Sequence, residues 1–508
     1  MSHSIKKVHL LLLLVLSSVL AVAFIKPSIM PKESARRVSV LFVGAPTKNS
    51  KAHDPITRYR TIKKHLGASG IDFTYTEDPQ QAFNPETLKH SDTVLMYGNW
   101  NQHGDMPADQ EKALLDYVEN GGGFMPIHCA SACYGKSDAF INLVGARFKS
   151  HGSGVFSPKN VKVNHPILKG SKPVNAWDET YVHDRHAKDR IILQKRDNEP
   201  WTWIRNQGAG KVFYTASGHD HRVWDEADFH HLIKQGILWS AGKASRDSLK
   251  ALKIPEMTYA KAKLPGYLKR KTIEQYQEPL PAEESIKHAQ VPAGFEIALF
   301  ASEPDVINPI AINWDKRGRA FVIETIDYPN QHHAGNTGND RIKICEDTDN
   351  DGRADKFTIF ADKLSLATSL VHAYGGIICT NGTELLFLKD TTGDGKADLR
   401  KPLFKGFSMG DTHAGPSNLR WGYDGWIYAT VGYSGFKGEV GGKRYGFRAG
   451  VYRFRINGNP DTVALGKDGS IQQICELDFL QGTTNNTWGL GITEDFDVLN
   501  STANANPS

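Results

Sequence analysis

Residues 121–133, GGGFMPIHCASAC, decide the fold of the first half of the chain. The run from Phe124 to His128 is short and apolar, which is typical of a buried strand in a parallel sheet. An amphipathic helix is predicted over Ala108 to Asn120, and the three glycines end it. The residues TVLMY, Thr93 to Tyr97, predict a second buried strand before that helix. The whole stretch therefore predicts a strand–helix–strand unit with parallel strands.

The same alternation extends in both directions, from about Val38 to Gly242. Further strands are predicted at VSVLFVG (Val38 to Gly44), Phe73 to Tyr75 and Lys211 to Ala216, and further helices at Arg58 to Leu66 and Ala227 to Ala241. This pattern indicates a flavodoxin-like α/β domain, in which helices cover both faces of a doubly wound sheet.

Histidines follow several of these strands at their carboxyl ends, where doubly wound sheets bind ligands. They are His53, His103, His128 and His219, and Asp220 follows the last of them. Each could be an ordinary surface or capping histidine, but four at one edge favour a shared site. Neutral imidazole suits both proton transfer and metal binding. A metal site stays an alternative, since the chain lacks an HExxH motif.

The same region resembles the trehalose-utilisation (ThuA-like) family. The resemblance rests on GGGFMPIHCASAC, FKSHG (148–152), WDETY (177–181), GAGKVFYTASGHD (208–220) and HHLIKQGILWSAG (230–242). It implies a class I glutamine amidotransferase-like fold, a link to sugar metabolism, and a pocket lined by His128, His151, Glu179 and His219. On this basis we expect His128, Glu179 and His219 to be catalytic, and His53, His103, His151, Tyr181 and Asp220 to bind substrate.

Cys129 invites a different hypothesis, because amidotransferases present a nucleophilic cysteine after a strand of this kind. The sequence PIHCASAC lacks the glycine two residues after the cysteine that a tight turn needs. A buried cysteine acting as a small hydrophobe is therefore the preferred interpretation. The chain holds five cysteines, an odd number, so we expect at least one free thiol. A disulfide scaffold is not expected, because so long a chain can bury enough apolar surface without one.

The second half of the chain differs from the first in composition and in predicted secondary structure. Residues 243–290 are polar and rich in proline, and we expect a linker or wrap-around arm there. From 291 to 508 short β-rich runs alternate with Gly, Asn and Asp turns. The loop DTDNDGRAD (347–355) recurs as DTTGDGKAD (390–398), an offset close to the period of propeller blades. We therefore expect an all-β propeller that is incomplete in this chain.

The two repeated loops carry carboxylates at the spacing with which a calcium loop begins. The candidate ligands are Asp347, Asp349, Asp351 and Asp355 in the first loop and Asp390, Asp394 and Asp398 in the second. Thr358 and Lys401 stand where an EF-hand needs glutamate, so these loops are not EF-hands. Each is expected at a hairpin tip, either as a weak calcium site or as a metal-free turn.

His413, in DTHAG (411–415), is the candidate catalytic base of the second half, since it precedes the strand-like run WIYATVG (426–432). This stretch resembles the propellers of soluble quinoprotein glucose and sorbosone dehydrogenases, and 291–508 resembles membrane-bound dehydrogenases of planctomycete type. The resemblance implies pyrroloquinoline quinone (PQQ) as cofactor, Glu324 at the substrate channel, and an electron acceptor such as a c-type cytochrome. The Arg-Asn pair of the quinoproteins is replaced here by Asn485-Asn486, which counts against PQQ.

The N-terminal residues 1–25 predict export, because Lys6 and Lys7 precede an apolar run that ends near Ala21-Val22-Ala23. The segment is either a cleaved signal peptide or an anchor, and we expect a periplasmic protein or one held on the outer face of the inner membrane. A net charge of +5 over 508 residues gives no reason to expect nucleic-acid binding. The sequence thus predicts an exported sugar-processing protein with dehydrogenase-like features. The alternative is a non-catalytic carbohydrate-binding or scaffold protein that retains both folds.

Overall fold

The computed structural model describes residues 35–46, 53–100, 104–264 and 273–503. The chain divides into two units, Met1–Ile297 and Ala298–Ser508. The predicted export segment 1–25 and His103 lie outside the described residues. Within the described ranges, none of the helices combines the length and the apolar character needed to cross a membrane.

The first unit is built on strands and helices that alternate along the chain. Its strands are β1 Val38–Ala45, β2 Ile71–Thr76, β3 Thr93–Gly98, β4 Gly123–Pro126, β5 Arg147–Ser150, β6 Ser153–Phe156, β7 Lys159–Asn160, β8 Ala176–Glu179, β9 Val182–Asp184, β10 Ile191–Arg196, β11 Glu199–Gln207 and β12 Gly210–Thr215. Its helices are α1 Pro55–Leu66, α2 Pro79–Ala82, α3 Pro85–Leu88, α4 Ala108–Glu119, α5 Asp138–Val144, α6 His221–Trp224, α7 Ala227–Ser240 and α8 Gly242–Leu252.

Eight of these strands form one sheet in the order β2-β1-β3-β4-β12-β11-β10-β7. The five strands from β2 to β12 are parallel, as predicted, and the remaining three pair antiparallel. The antiparallel part was not predicted. The reason is that β10 and β11 mix polar and apolar residues without the continuous apolar run of a central parallel strand.

Two hydrophobic cores lie on opposite faces of this sheet, because successive side chains of a strand point to opposite faces. Val40 and Phe42 of β1 pack in the core that contains residues of α1 and α7, whereas Leu41 and Val43 pack with residues of α4 and α5. Helix α1 begins after Asp54, whose side chain accepts a hydrogen bond from the Thr57 backbone N–H. This arrangement confirms the flavodoxin-like α/β prediction for the first unit.

Between α5 and β10 the chain forms an insertion that lies outside the main sheet, apart from the edge strand β7. In it, β5 pairs with β9 and β6 pairs with β8, both antiparallel. The turn between β5 and β6 carries His151, and β8 ends at Glu179. The insertion therefore supplies two of the candidate site residues.

The segment predicted as a linker contains α8, an antiparallel pair formed by β13 (Tyr259–Leu264) and β14 (Ile273–Gln277), and the short helix α9 (Ala282–Ser285). Its last residues contact the α/β domain. A nitrogen of Arg37 donates to the Lys287 carbonyl at 2.6 Å, and the Ala293 N–H donates to Thr74 at 2.7 Å.

The second unit is a β-rich region of small antiparallel sheets. Its strands are β15 Pro309–Trp314, β16 Ala320–Glu324, β17 Asp340–Glu346, β18 Lys356–Leu364, β19 Leu370–Ala373, β20 Gly376–Asn381, β21 Glu384–Lys389, β22 Leu399–Lys405, β23 Pro416–Trp421, β24 Ile427–Val431, β25 Phe436–Val440, β26 Lys443–Phe447, β27 Gly450–Ile456, β28 Cys475–Gly482, β29 Thr487–Ile492 and β30 Val498–Thr502. Three sheets have four strands each, in the orders β15-β16-β17-β18, β19-β20-β21-β22 and β23-β24-β27-β28. The two Asp-rich loops join β17 to β18 and β21 to β22, so both are hairpin tips.

In the first unit, Gly210 at the start of β12 lies close to the backbone at the end of α4 and after it. A Cβ atom there would lie 2.0 Å from the Val118 carbonyl oxygen and 2.4 Å from that of Gly122. We expect G210A to lower the stability of the first unit by about 3 kcal/mol, because backbone cannot move aside as a side chain does. For a domain of this size, that corresponds to roughly 6–12 °C in Tm by calorimetry.

The matched control is G154A in β6, where a Cβ atom would meet nothing within 4 Å. Its Tm should stay within about 2 °C of the parent. Equal melting of the two variants would contradict the packing described at Gly210.

Candidate active site in the first unit

The carboxyl ends of the parallel strands bring the predicted histidines together. His128 follows β4 and His219 follows β12, and the centroids of their rings lie 5.9 Å apart. His53, after β1, lies 5.2 Å from the ring of His128 and 5.0 Å from that of His219. These three rings form one cluster, while His103 lies outside the described residues.

Glu179 of the insertion places its carboxylate in the centre of this cluster. Oε2 lies 3.2 Å from Nε2 of His128 and 3.8 Å from Nε2 of His53. Oε1 lies 3.4 Å from Nε2 of His219 and 3.6 Å from Nδ1 of His151. His128 is fully buried, whereas the side chain of His151 is 42% exposed, so the cluster opens to solvent on the side of His151.

Each of the three inner imidazoles is also held at its outer nitrogen. Nδ1 of His128 lies 2.6 Å from the Ala216 carbonyl oxygen, and Nδ1 of His219 lies 3.0 Å from a carboxylate oxygen of Asp220. Nδ1 of His53 lies 3.3 Å from the side-chain nitrogen of Asn99. Asp220 in turn binds Arg222, so this predicted substrate ligand positions His219.

Asp178 ties the insertion to the edge of the sheet. Its buried carboxylate accepts hydrogen bonds from the backbone N–H groups of Gly218 at 3.0 Å, His219 at 3.1 Å and Glu179 at 2.9 Å. Burial raises the pKa of Asp178 to about 7, although these three donors lower it. The same carboxylate thus fixes the backbone of both Glu179 and His219.

Burial dominates the electrostatics of the cluster. It lowers the pKa of His128 to about 4, which keeps this imidazole neutral at ordinary pH. Burial alone would raise the pKa of Glu179, but the contacts with His128, His53 and His219 hold it well below its usual range. The site therefore combines an ionised carboxylate with a neutral imidazole.

Aromatic rings surround the cluster. Tyr181 is buried and stacks on His128 with ring centroids 4.2 Å apart, so this predicted substrate ligand supports the imidazole. The ring of Trp177 lies 5.5 Å from that of His219, and the Arg222 guanidinium lies 3.6 Å above Trp177. Trp177, Asp178, Asn99 and Arg222 were not singled out from the sequence, although the first two stand in the quoted WDETY motif.

A second buried network supports the backbone of His128, which adopts a φ of +49°. Tyr214 donates to the His128 carbonyl at 3.1 Å and contacts Nε2 of His183 at 3.0 Å. His183 also contacts Glu199 at 2.9 Å. Because a φ in this range is unfavourable for a residue with a side chain, these bonds hold His128 in the orientation that the cluster requires.

Cys129 lies beside this cluster but is buried within the core that contains α1 and α7. Burial raises the pKa of its thiol well above the ordinary value. A thiol in such surroundings is a weak nucleophile, which agrees with the interpretation of Cys129 as a small hydrophobe.

In the second unit, His413 lies in a short turn before β23. Its Nδ1 is 3.0 Å from Asp411, and its ring is 5.5 Å from that of Tyr328, which stacks with Trp488 at 6.4 Å. Glu324, expected at a channel, is instead fully buried, where it accepts from the Ile307 N–H and pairs with Lys343 and Arg341.

The Asp-rich loops satisfy part of their own hydrogen bonding. Asp347 accepts from the backbone of Asp351 and Gly352, and Asp390 accepts from Gly393 and Gly395. Among the residues that the structure describes, two groups have ligand atoms within 4.8 Å of one another: His53, Glu179 and His219, and Asp347, Asp349 and Asp355. The predicted ligands Asp351, Asp390, Asp394 and Asp398 do not belong to such a group, and calcium binding stays a prediction.

Two family models match separate parts of the chain. Residues 39–240 match the model of a family described as Trehalose utilisation (ThuA), and residues 281–508 match one described as Domain of unknown function (DUF7133). The chain is similar to a ThuA-like protein of known structure from Bacteroides uniformis, with 18% identity over 41% of this chain and 92% of the other and a TM-score of 0.34. It is also similar to a ThuA-like protein of known structure from Parabacteroides merdae, with 18% identity over 41% of this chain and 90% of the other and a TM-score of 0.33. None of the curated proteins matches the chain. The family model thus identifies the N-terminal α/β domain as ThuA-like.

The bonds of Asp178 predict a measurable cost for D178N. The substitution turns one oxygen into an N–H donor that faces an N–H donor, either that of Gly218 or those of His219 and Glu179. We expect a loss of about 3 kcal/mol in the free energy of unfolding, measured in urea, because a buried acceptor is replaced by a donor that has no acceptor to face. D197N is the matched control, since the Asp197 side chain is 85% exposed, and it should change stability by less than about 0.5 kcal/mol. Equal stability of the two variants would show that Asp178 does not hold the site.

Proposed function

We propose that the ThuA-like domain is an enzyme of carbohydrate metabolism that transfers protons to and from a sugar bound beside Glu179. The observation that carries this proposal is the single carboxylate contacted by four imidazoles at the ligand-binding edge of the sheet. A carboxylate and imidazoles in contact can accept a proton from one hydroxyl group of a bound molecule and donate a proton to another.

The surroundings of the cluster suit a sugar. A sugar offers hydroxyl groups that both donate and accept, and it packs its C–H face on aromatic rings. Here imidazoles and carboxylates supply the polar contacts, and Trp177 supplies a ring beside His219. The family description, trehalose utilisation, points to the same class of molecule. The entrance beside His151 is the side from which the sugar would enter.

The test uses E179Q, which keeps the shape of the side chain and removes its charge. With trehalose and related disaccharides as substrates, and mass spectrometry of the products, we expect E179Q to lower kcat/KM by about 10²–10⁴-fold. The control is E86Q, because Glu86 is exposed and its ion pair with Lys89 lies on the surface. Turnover by E179Q at the rate of the parent would contradict the proposal.

For the second unit, we propose that the three four-stranded sheets are blades of a β-propeller that binds carbohydrate beside His413. The support is the repeated order of adjacent antiparallel strands and the group of rings around His413. The residues present do not fit PQQ. Asn485 and Asn486 carry no charge, and their amides already bond to Ala503 and Tyr433. Binding without redox chemistry is therefore the favoured function, and a cytochrome partner is not required.

The export predicted from residues 1–25 is part of this proposal, since it would place both units where extracellular sugars are met. Membrane contact would then occur only through that segment.

Trp488 provides the test of the second unit. W488A should weaken binding of a soluble sugar by about 3–10-fold in calorimetric titration, since one aromatic contact is removed. W314A is the control, because Trp314 is similarly exposed and packs on Phe300 in another part of the unit. H413A should also weaken binding of the sugar, and we expect no redox activity in either the parent or this variant. Reduction of a dye by the parent protein supplied with PQQ, calcium and an aldose, and its loss in H413A, would favour the dehydrogenase instead.

A further inference from the structure

The proton positions on two of the clustered imidazoles are decided by their outer partners. A carbonyl oxygen can only accept, so Nδ1 of His128 must donate to Ala216 at 2.6 Å. A carboxylate also only accepts, so Nδ1 of His219 donates to Asp220 at 3.0 Å. In their neutral forms, both rings therefore turn the lone pair of Nε2 inward.

Both lone pairs face the same carboxylate. Nε2 of His128 lies 3.2 Å from one oxygen of Glu179, and Nε2 of His219 lies 3.4 Å from the other. Nε2 of His128 is buried and makes no hydrogen bond within the described part of the chain. Acceptors of this kind repel one another unless something positive lies between them.

A metal ion bound by Nε2 of His219 uses that lone pair as a bond. A water or hydroxyl group on the ion can then donate a hydrogen bond to Nε2 of His128, so both inward lone pairs gain a partner. The arrangement of Asp220 behind His219 is also the carboxylate–histidine pairing that orients metal ligands in proteins.

We propose that His53, His219 and Glu179 bind one divalent transition-metal ion of the zinc class. Their ligand atoms all lie within 4.8 Å of one another. Zinc bonds of about 2.0–2.2 Å in a tetrahedron place neighbouring ligand atoms about 3.4 Å apart. Nε2 of His219 lies 3.4 Å from Oε1 of Glu179, and Nε2 of His53 lies 3.8 Å from Oε2, so each imidazole approaches a different oxygen of the carboxylate at close to that value. Two imidazoles with one carboxylate favour zinc over magnesium or calcium, which prefer oxygen ligands alone.

The side-chain amide of Asn99 is the outer partner of the remaining imidazole ligand, His53. A metal bonded to Nε2 of His53 leaves the proton on Nδ1, which then donates to the Asn99 side chain. The amide presents its oxygen in this state, and the nitrogen and oxygen of the group exchange places by rotation.

Three protein ligands leave a fourth position open, as in catalytic zinc sites. The inward lone pair of His128 lies beside that position, where it accepts a hydrogen bond from a water or hydroxyl group on the metal. The contact of a sugar hydroxyl with the metal rests on the proposed function, whereas the metal site itself does not.

The test begins with the full chain freed of metal by a chelator and dialysis. Titration with Zn²⁺ by calorimetry, and with Co²⁺ followed by its visible absorption, should give about one ion per chain, with the intense bands of a tetrahedral site. H219A and H53Q should lower the affinity by more than about 100-fold, and D220N by about 10–100-fold through the loss of the supporting bond. H128A should retain the ion.

H90A is the control, because His90 is exposed and distant in sequence from the cluster, and circular dichroism reports folding of every variant. Failure of the folded parent chain to bind Zn²⁺ or Co²⁺ would overturn the proposal, as would unchanged affinity in both H219A and H53Q. Metal binding without turnover of any sugar would refute the proposed function alone. Full turnover by the metal-free chain would refute only the contact between the sugar and the metal.

Discussion

The three backbone hydrogen bonds accepted by the Asp178 carboxylate are the constraint on which the site depends. Glu179 belongs to an insertion, whereas His128 and His219 belong to the edge of the sheet. Nothing in the sheet itself dictates where the insertion lies. Asp178 removes that freedom, because its oxygens bond both to the loop after β12 and to the backbone of its neighbour. A carboxyl group buried in this way is stable only when its oxygens are hydrogen-bonded, so the two parts are fixed together.

Much of the first unit could be predicted from the sequence because its signals are local. Continuous apolar runs such as VSVLFVG predicted central parallel strands, and glycines after Glu119 marked the end of a helix. The histidines at strand ends were predicted to meet for the same reason, since parallel strands share one carboxyl edge. The three antiparallel strands of the sheet were missed because β10 and β11 lack such a run. The supporting partners of the cluster, such as Asn99 and Arg222, come together only through the tertiary fold.

In the second unit, the hairpins were predictable from the sequence but the contacts of a buried charged residue were not. Hairpins were predictable from the Asp- and Gly-rich turns between β17 and β18 and between β21 and β22. The environment of Glu324 was not, since its partners Lys343 and Arg341 lie on the adjacent strand β17 and their charges become important only when the strands pair. A strand pattern records which face a residue occupies, but not whether a neighbouring strand brings a charge to meet it.

The insertion that carries Glu179 has a consequence for how such a domain can change over time. The edge of the parallel sheet positions His53, His128 and His219. The insertion, with its two small antiparallel sheets, contributes Glu179, Trp177 and His151. Loops and insertions tolerate replacement far better than the elements beneath them. A lineage could therefore exchange the insertion, and with it the molecule recognised, while inheriting the three imidazoles at the sheet edge unchanged. The substrate and the reaction would then change through the insertion first, while the parallel sheet beneath it stays the same.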